Sequence, residues 1–134
     1  MRIGYTSGVF DLFHVGHLNV LRRARLDCDF LFAAVTTDEV TEEVLGAPPT
    51  VPYAERLQLV RAVRFVDAVV GKDTADTRQM WHRLRFDVVY KGGDWKGDDR
   101  GVALEAELAD LPVEVVYFPY TRHTSSERLR ELLG

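Results

Sequence analysis

The chain has 134 residues, 46% of them hydrophobic, which is enough for one domain with a single core. Its 17 Lys and Arg residues and 21 Asp and Glu residues give a formal net charge of −4, which argues against a broad nucleic-acid or anionic-membrane interface. Any phosphate-binding chemistry is therefore expected to be confined to one local site.

Cysteine content and hydropathy predict a cytoplasmic protein. Cys28 is the single cysteine, which excludes an internal disulfide and a multi-cysteine zinc site, and it is interpreted as a buried small hydrophobe. No apolar run approaches the roughly 20 residues of a membrane-spanning helix, and residues 1–8 lack the pattern of a signal peptide. A reducing compartment and no membrane association are therefore expected.

Apolar and amphipathic segments alternate along the chain. Apolar segments, mostly without polar alternation, are typical of buried parallel strands and occur at residues 2–6, 30–35, 68–70, 87–90 and 113–118. Hydrophobic spacing and capping residues predict helices at residues 17–25, 54–64, 77–85, 102–109 and 125–133. This order predicts a doubly wound, Rossmann-like α/β fold with a parallel sheet of about five strands, as a single domain over residues 1–134.

Ligands of such folds bind outside the carboxyl ends of the strands, so the loops after strands are the expected site. The loops in question are residues 7–16, 91–100 and 119–126. A fourth loop, residues 36–53, is long for a compact α/β unit and contains three prolines, which predicts a mobile flap.

The first of these loops carries two histidines, His14 and His17, between a strand and a helix. Gly8 and Gly16 allow the backbone to approach an oxyanion, and the helix N-terminus offers unpaired N–H groups and a partial positive charge. Histidines three residues apart can face one site and donate N–H bonds to a phosphate during its displacement. The plainer interpretations are a helix cap with a core histidine, and metal ligation, for which no cysteine ligand is available.

The run from Gly8 to His17 resembles the signature loop of the cytidylyltransferase family within the HxGH nucleotidyltransferases. Other segments resemble successive motifs of that family, in the same order: residues 37–39, 55–56, 64–67, 92–95 and 124–126. Residues 94–97 and 114–117 are similar to members that act on glycerol 3-phosphate. Several motifs in register make the likeness specific over nearly the whole chain.

The resemblance implies that a small alcohol phosphate attacks the α-phosphorus of CTP and releases pyrophosphate, with neither a covalent enzyme intermediate nor a general base. It also implies Mg²⁺ held mainly by the triphosphate, and a homodimer. The implied catalytic residues are His14, His17 and Arg64. The implied nucleotide-binding residues are Ser7, Gly8, Val9, Phe10, Gly16, Lys91, Gly92, Asp94, Trp95, Thr124, Ser125 and Ser126. The implied acceptor-binding residues are Asp11, Asp38, Arg56 and Arg122.

Most of these residues also have a structural interpretation. Arg56 and Arg64 are eight residues apart on one predicted helix and can face the same way, either toward phosphate or as a solvated face. Residues 91–95 can form a structural turn with a buried Trp95, and residues 124–126 can simply cap the last helix. Asp11 can hold its own loop rather than a metal.

The chain departs from the family pattern in two places. The family's flap lysine is absent, since residues 26–55 contain no Lys or Arg and carry Glu42 and Glu43 instead. The arginine expected before the last hydroxyl cluster is replaced by Tyr120, with Arg122 two residues later. These departures predict an altered acceptor, such as a small phosphonate, or a weakened enzyme, unless another cation stabilises the developing charge.

Two rival functions remain open from the sequence. The motif at residues 91–94 also resembles that of adenylyltransferases acting on ATP and a sugar phosphate. The sequence does not specify the base of the nucleotide. A non-catalytic nucleotide-binding domain is the alternative from a different class, favoured by the absent flap lysine. Release of pyrophosphate separates an enzyme from a sensor.

Overall fold

The computed structural model describes residues 1–119 and residue 132. The strands are β1 (Ile3–Gly8), β2 (Phe30–Thr36), β3 (Ala68–Lys72), β4 (Val88–Gly92) and β5 (Glu114–Phe118). The helices are α1 (Val15–Asp27), α2 (Asp38–Leu45), α3 (Tyr53–Arg61), α4 (Thr77–Leu84) and α5 (Asp99–Leu108), with a 3₁₀ turn at Gly93–Trp95. The predicted helix at 125–133 and the predicted site residues Arg122, Thr124, Ser125 and Ser126 lie outside the described residues.

The five strands form one sheet in the order β3-β2-β1-β4-β5, and each pair of neighbours is parallel. This confirms the predicted doubly wound α/β fold. The chain builds outward from β1 to β3 and then returns to the other side of β1 for β4. The topological switch point, where ligands of such folds bind, therefore lies between the carboxyl ends of β1 and β4.

Helices cover both faces of the sheet. On one face α1 and α3 pack over alternate strand residues, with Leu21, Val35, Val60 and Val88 in the core. On the other face α4 and α5 pack over the intervening residues, with Tyr5 and Met80 among those buried. Each strand has core on both sides, which is why the strand segments are apolar with little polar alternation.

Four of the five strands extend beyond their predicted carboxyl ends, and β5 ends where it was predicted to end. β1 reaches Gly8, β3 reaches Lys72 and β4 reaches Gly92, each two residues past the predicted boundary. Parallel pairing continues past the apolar stretch because backbone hydrogen bonds do not depend on side-chain hydropathy. The ends of these strands therefore place polar side chains on the sheet itself.

The loop at residues 36–53, predicted to be a mobile flap, contains the helix α2. Thr37 caps its N-terminus by accepting a hydrogen bond from the backbone N–H of Val40, and Gly46 ends it in the left-handed conformation at φ 82°. The prediction missed this helix because it is eight residues long and acidic, so its hydrophobic periodicity is short.

Among the described residues, no helix is long and apolar enough to cross a bilayer.

Candidate nucleotide-binding site

The turn between β1 and α1 is held in a strained backbone conformation. Phe10 and Leu12 both have positive φ, 53° and 50°, although neither is a glycine. The ring of Phe10 is buried, 6% exposed, and lies 5.5 Å from the ring of His17 between centroids. Backbone strain of this kind persists only where the surroundings fix it, and it is concentrated at functional sites.

His14 and His17 form a reciprocal cap at the start of α1. Nδ1 of His14 accepts a hydrogen bond from the backbone N–H of Gly16 at 3.0 Å, and Nδ1 of His17 accepts one from the backbone N–H of His14 at 3.2 Å. The two rings stack with centroids 3.9 Å apart. Because each Nδ1 is an acceptor, the proton of each neutral imidazole lies on Nε2, so the pair presents Nε2–H donors at a helix N-terminus.

Both histidines are held in the neutral form. Burial lowers the pKa of His17 to about 3, with a further lowering from His14 and a small opposing effect of Asp11. Burial also lowers the pKa of His14. At neutral pH each ring is therefore a neutral hydrogen-bond donor rather than a cation.

The lowered pKa of His17 predicts loss of stability in acid. The folded state binds fewer protons than the unfolded state between pH 6.5 and 3, so the free energy of unfolding falls as the pH falls through this window. We expect His17 to account for roughly 3 kcal/mol of that fall between pH 6.5 and 4. The measurement is urea unfolding at half-unit pH intervals.

His17→Gln is the matched variant, because glutamine at this position of a helix can also accept a hydrogen bond from the capping residue. It should flatten the pH dependence, whereas His82→Gln, at an exposed histidine of α4, should leave the wild-type slope. Parallel slopes for wild type and His17→Gln would contradict the assignment.

Asp11 anchors the loop that follows α2. Its two carboxylate oxygens accept hydrogen bonds from the backbone N–H groups of Thr50 and Val51, each at 2.9 Å, and its side chain is almost fully buried. This matches the interpretation in which Asp11 holds a loop, and it leaves the carboxylate poorly placed to contact an acceptor.

Arg56 lies inside the fold instead of facing an acceptor. Its side chain is 0% exposed and donates hydrogen bonds to the backbone oxygens of Val51, Val9 and Thr36, at 2.8, 2.6 and 2.7 Å. Its remaining nitrogen pairs with Asp38 at 2.6 Å. The guanidinium thus joins the ends of β1 and β2 to the start of α3. The predicted role of Arg56 as an acceptor-binding residue is inconsistent with its complete burial.

Arg64 lies at the opposite edge of the sheet from His14. The helix α3 ends at Arg61, so Arg64 is in the turn before β3, at the amino ends of the strands, with its guanidinium over Phe65. The prediction that Arg56 and Arg64 share one helix face is wrong. The helix ends early because residues 62–67 turn back to start β3, and the turn buries Val63 and Val66 against the core.

Lys91 and Ser7 meet at the switch point. Nζ of Lys91 donates to the backbone oxygen of Ser7 at 2.7 Å and to its Oγ at 3.2 Å. It also lies 4.2 Å from the ring centroid of Trp95. Burial lowers the pKa of Lys91 to about 7, with further lowering by Lys72 and Arg100 and an opposing effect of Asp94. An anion bound here would favour the charged form of this lysine.

The turn after β4 is packed tightly around Asp94. A Cβ on Gly92 would lie 2.8 Å from Oδ1 of Asp94, so a larger residue there would displace the Asp94 carboxylate. Arg100 pairs weakly with Asp94 at 3.4 Å and stacks over Trp95, 4.8 Å from the ring centroid. Trp95 therefore contacts two cations of its own chain and packs against the core at its partly buried edge. This matches the structural-turn interpretation of residues 91–95.

The structure brings together part of the predicted site. Around the switch point lie Ser7, Gly8, Val9, Phe10, His14, Gly16, His17, Lys91, Gly92, Asp94 and Trp95. One residue at this edge was not predicted, Lys72 at the end of β3. The signal available for it was a lysine directly after an apolar strand segment, at the sheet edge where ligands bind.

The fold and this edge define a doubly wound α/β domain with a strained, histidine-capped helix N-terminus at its switch point. A family model described as cytidylyltransferase-like matches residues 5–132. The chain belongs to this cytidylyltransferase-like family and is a nucleotidyltransferase.

Curated relatives agree with this family. FAD synthase of Pyrococcus abyssi is 35% identical over 115 residues, which cover 85% of this chain and 78% of that protein. The bifunctional protein HldE of Koribacter versatilis is 40% identical over 131 residues, which cover 97% of this chain and 26% of that protein. The chain thus spans about a quarter of the length of this HldE.

Solved structures share the fold. A lipopolysaccharide core biosynthesis protein from Thermoplasma volcanium superposes with a TM-score of 0.74 at 22% identity, covering 92% of this chain and 99% of that one. Pantothenate synthetase from Thermus thermophilus superposes with a TM-score of 0.68 at 18% identity, covering 96% of this chain and 61% of that one.

Proposed function

We propose that the protein transfers a nucleoside monophosphate from a nucleoside triphosphate to a small acceptor that carries a phosphate or phosphonate, releasing pyrophosphate. The observation that carries the proposal is the histidine pair. His14 and His17 are neutral and stacked, and because each Nδ1 accepts a backbone hydrogen bond, each Nε2 carries the proton and is a donor at the N-terminus of α1. Such donors stabilise negative charge that grows on phosphate oxygens during displacement.

In this reaction an oxygen of the acceptor's anionic group attacks the α-phosphorus, and the bond from that phosphorus to the bridging oxygen breaks. The electron pair leaves with pyrophosphate. The nucleophile is already an anion, so the reaction requires no general base, and the protein contributes alignment and charge stabilisation. His14 and His17 donate to the triphosphate, Gly8 and Phe10 lend backbone contacts, and Lys91 neutralises an anion at the switch point. Arg56 and Asp11 position this loop from inside the fold.

The first candidate donor is CTP, with an acceptor similar to glycerol 3-phosphate. The sequence motifs at residues 94–97 and 114–117 favour CTP, as does membership of a cytidylyltransferase-like family. The second candidate donor is ATP. The 35% identity to an FAD synthase favours it, because FAD contains an adenylyl group. Arg64 is assigned no role within a single chain, because it lies at the far edge of the sheet.

Mg²⁺ is proposed as the cofactor, supplying charge neutralisation on the triphosphate. Mg²⁺ retains several waters and takes substrate oxygens with one or two protein carboxylates. The described residues contain no group of three His, Cys, Asp or Glu side chains that could hold a metal, and both oxygens of Asp11 are occupied by backbone N–H groups. The exposed Asp94, in the turn directly after β4, is a carboxylate at this edge that fits this role. A homodimer and a cytoplasmic location complete the proposal.

The test is release of pyrophosphate with Mg²⁺, comparing CTP with ATP. The acceptors are glycerol 3-phosphate, FMN, sugar phosphates and small hydroxyalkyl phosphonates. We expect turnover to be at least tenfold faster with one nucleotide than with the other. We also expect only one class of acceptor to support turnover. Turnover only with ATP and FMN, or only with ATP and a sugar phosphate, would replace the CTP version. Nucleotide binding without turnover for any pair would reject the proposed transfer in favour of the sensor function.

A further inference from the structure

Polar side chains form a staggered row across four strands on the face of the sheet that α4 and α5 cover. Thr36 and Lys72 lie two residues farther toward the carboxyl edge than Ser7 and Lys91, because Ser7 pairs in register with Ala34. Lys72 on β3 pairs in register with Thr36 on β2, and Ser7 on β1 is hydrogen-bonded to Lys91 on β4. All four residues lie at the carboxyl ends of their strands. Two residues earlier on each strand the same face is apolar, with Val70, Ala34, Tyr5 and Val89 in one core cluster. The row therefore separates the core from the edge where ligands bind.

Lys72 is one of the two lysines that bracket this row, and it is only partly buried. Within the described residues its ammonium group makes no salt bridge within 4 Å and no hydrogen bond. Burial lowers its pKa, against the opposing attraction of Glu107 and Asp76. A partly desolvated ammonium without a direct partner is costly unless an anion joins it.

Two carboxyl groups, Asp76 and Glu107, attract the ammonium group of Lys72, but neither forms a salt bridge with it. A hydrogen bond between the two carboxyl groups lowers the pKa of Asp76, whereas burial together with that bond raises the pKa of Glu107. Glu107 is also tied to α4, since its Oε1 accepts from the backbone N–H of Thr77 at 3.0 Å. Below the row, the fully buried hydroxyl of Tyr5 has no hydrogen-bond partner of ordinary geometry among the described residues. The environment of Lys72 is therefore polar, and among the described residues its ammonium group has no salt-bridge partner.

The proposed reaction needs a cation here. The acceptor and the triphosphate are both anions, so they repel each other unless a nearby cation compensates their negative charge. Residues 26–55, which include the long loop over this edge, contain no Lys or Arg, and Arg56 directs its donors to backbone oxygens inside the fold. Lys91 is already bonded to Ser7, beside the histidine turn. Lys72, on the edge strand β3 and three strand positions from β4, is the lysine of the row left without a direct contact in the described part of the chain.

We infer that Lys72 binds the anionic group of the acceptor and thereby determines that this protein selects phosphate- or phosphonate-bearing acceptors. The inference rests on the proposed function, and it separates the two lysines of the row. Lys91 serves the nucleotide at the switch point between β1 and β4, and Lys72 serves the acceptor at the end of β3. An uncharged acceptor of the same shape would gain nothing from Lys72.

The test compares Lys72→Met with Lys72→Arg and with Lys96→Met, which removes the exposed lysine after the 3₁₀ turn. Two quantities are measured by calorimetry in the presence of Mg²⁺. One is the Kd of α,β-methylene-CTP or its ATP counterpart. The other is the Kd of glycerol 3-phosphate, FMN and inorganic phosphate with that analogue bound. Thermal unfolding of each variant shows whether the fold is retained.

We expect Lys72→Met to weaken binding of the phosphate-bearing probes by about 10- to 100-fold and to change the nucleotide Kd by less than threefold. Lys72→Arg should recover most of the loss, and Lys96→Met should resemble wild type. Three results would overturn the inference. Lys72→Met could weaken binding of the nucleotide analogue as much as that of the phosphate-bearing probes, Lys96→Met could weaken binding of those probes as much as Lys72→Met does, or no probe could bind to wild type. Phosphate binding that depends on Lys72 in a protein without turnover would uphold the anion site and reject the proposed function.

Discussion

Replacing His14 with asparagine is expected to reduce kcat about 10²- to 10³-fold while leaving the fold intact. Asparagine is among the best helix N-caps, so the side chain can still accept the hydrogen bond from the backbone of Gly16. It cannot extend an N–H donor to the place that Nε2 of the imidazole reaches. Loss of one preorganised donor to a developing oxyanion costs roughly 2.7–4 kcal/mol of transition-state stabilisation.

The measurement is steady-state pyrophosphate release, with thermal unfolding in parallel. His82→Asn on α4 is the control, because that histidine is exposed and far along the chain from the β1–α1 turn. The melting temperature of His14→Asn should stay within a few degrees of wild type. A variant that keeps more than a tenth of the wild-type kcat would show that His14 is a helix cap and nothing more.

Replacing Arg56 with methionine is expected to lower the free energy of unfolding by roughly 3–5 kcal/mol. The variant keeps most of the aliphatic stem but removes four donated hydrogen bonds, three of them to backbone oxygens. Those oxygens would remain buried without a partner, and Asp38 would lose its cation. Arg56→Lys should recover little, because an ammonium group cannot reproduce the planar fork that joins four separated acceptors.

Urea unfolding followed by circular dichroism measures this change. Arg61→Met, at the exposed end of the same helix, removes the same charge and should cost less than about 0.5 kcal/mol. If Arg56→Met proved as stable as Arg61→Met while weakening acceptor binding, Arg56 would be an acceptor ligand after all. If it lost stability and retained acceptor affinity, the positioning role would stand.

The comparison with known proteins agrees with the class of enzyme that the histidine loop predicts. The residues that carried this prediction are contiguous, so their geometry is largely local: His14 and His17 cap the same helix turn from three residues apart. The choice of donor nucleotide is different, since it depends on a pocket built from several loops. Relatives with different printed functions, FAD synthase and HldE, are 35% and 40% identical to this chain over most of its length, so overall similarity does not specify the donor.

The sequence by itself determined the fold class, the order of its elements and the loop that carries the histidine pair. Hydrophobic periodicity and helix caps are local properties, and the alternation of strands and helices restricts the sheet to few topologies. The short acidic helix α2 was missed because its caps were the only strong signal for it. Four of the five strands were predicted to end too early because apolar content ends before backbone pairing does.

Only the tertiary structure decided what the individual charged residues do. Arg56 bonds to a backbone oxygen 47 residues away, and Asp11 bonds to N–H groups 39 and 40 residues away, so their burial followed from chain packing. The end of α3 at Arg61 placed Arg64 at the opposite edge from His14, although spacing alone put both arginines on one helix face. The pairing of β4 with β1 brought Lys91 onto Ser7, and that of β3 with β2 placed Lys72 in the same polar row. Charge and spacing are encoded locally, but whether a cation faces a ligand or a buried carbonyl depends on which distant strand lies beside it.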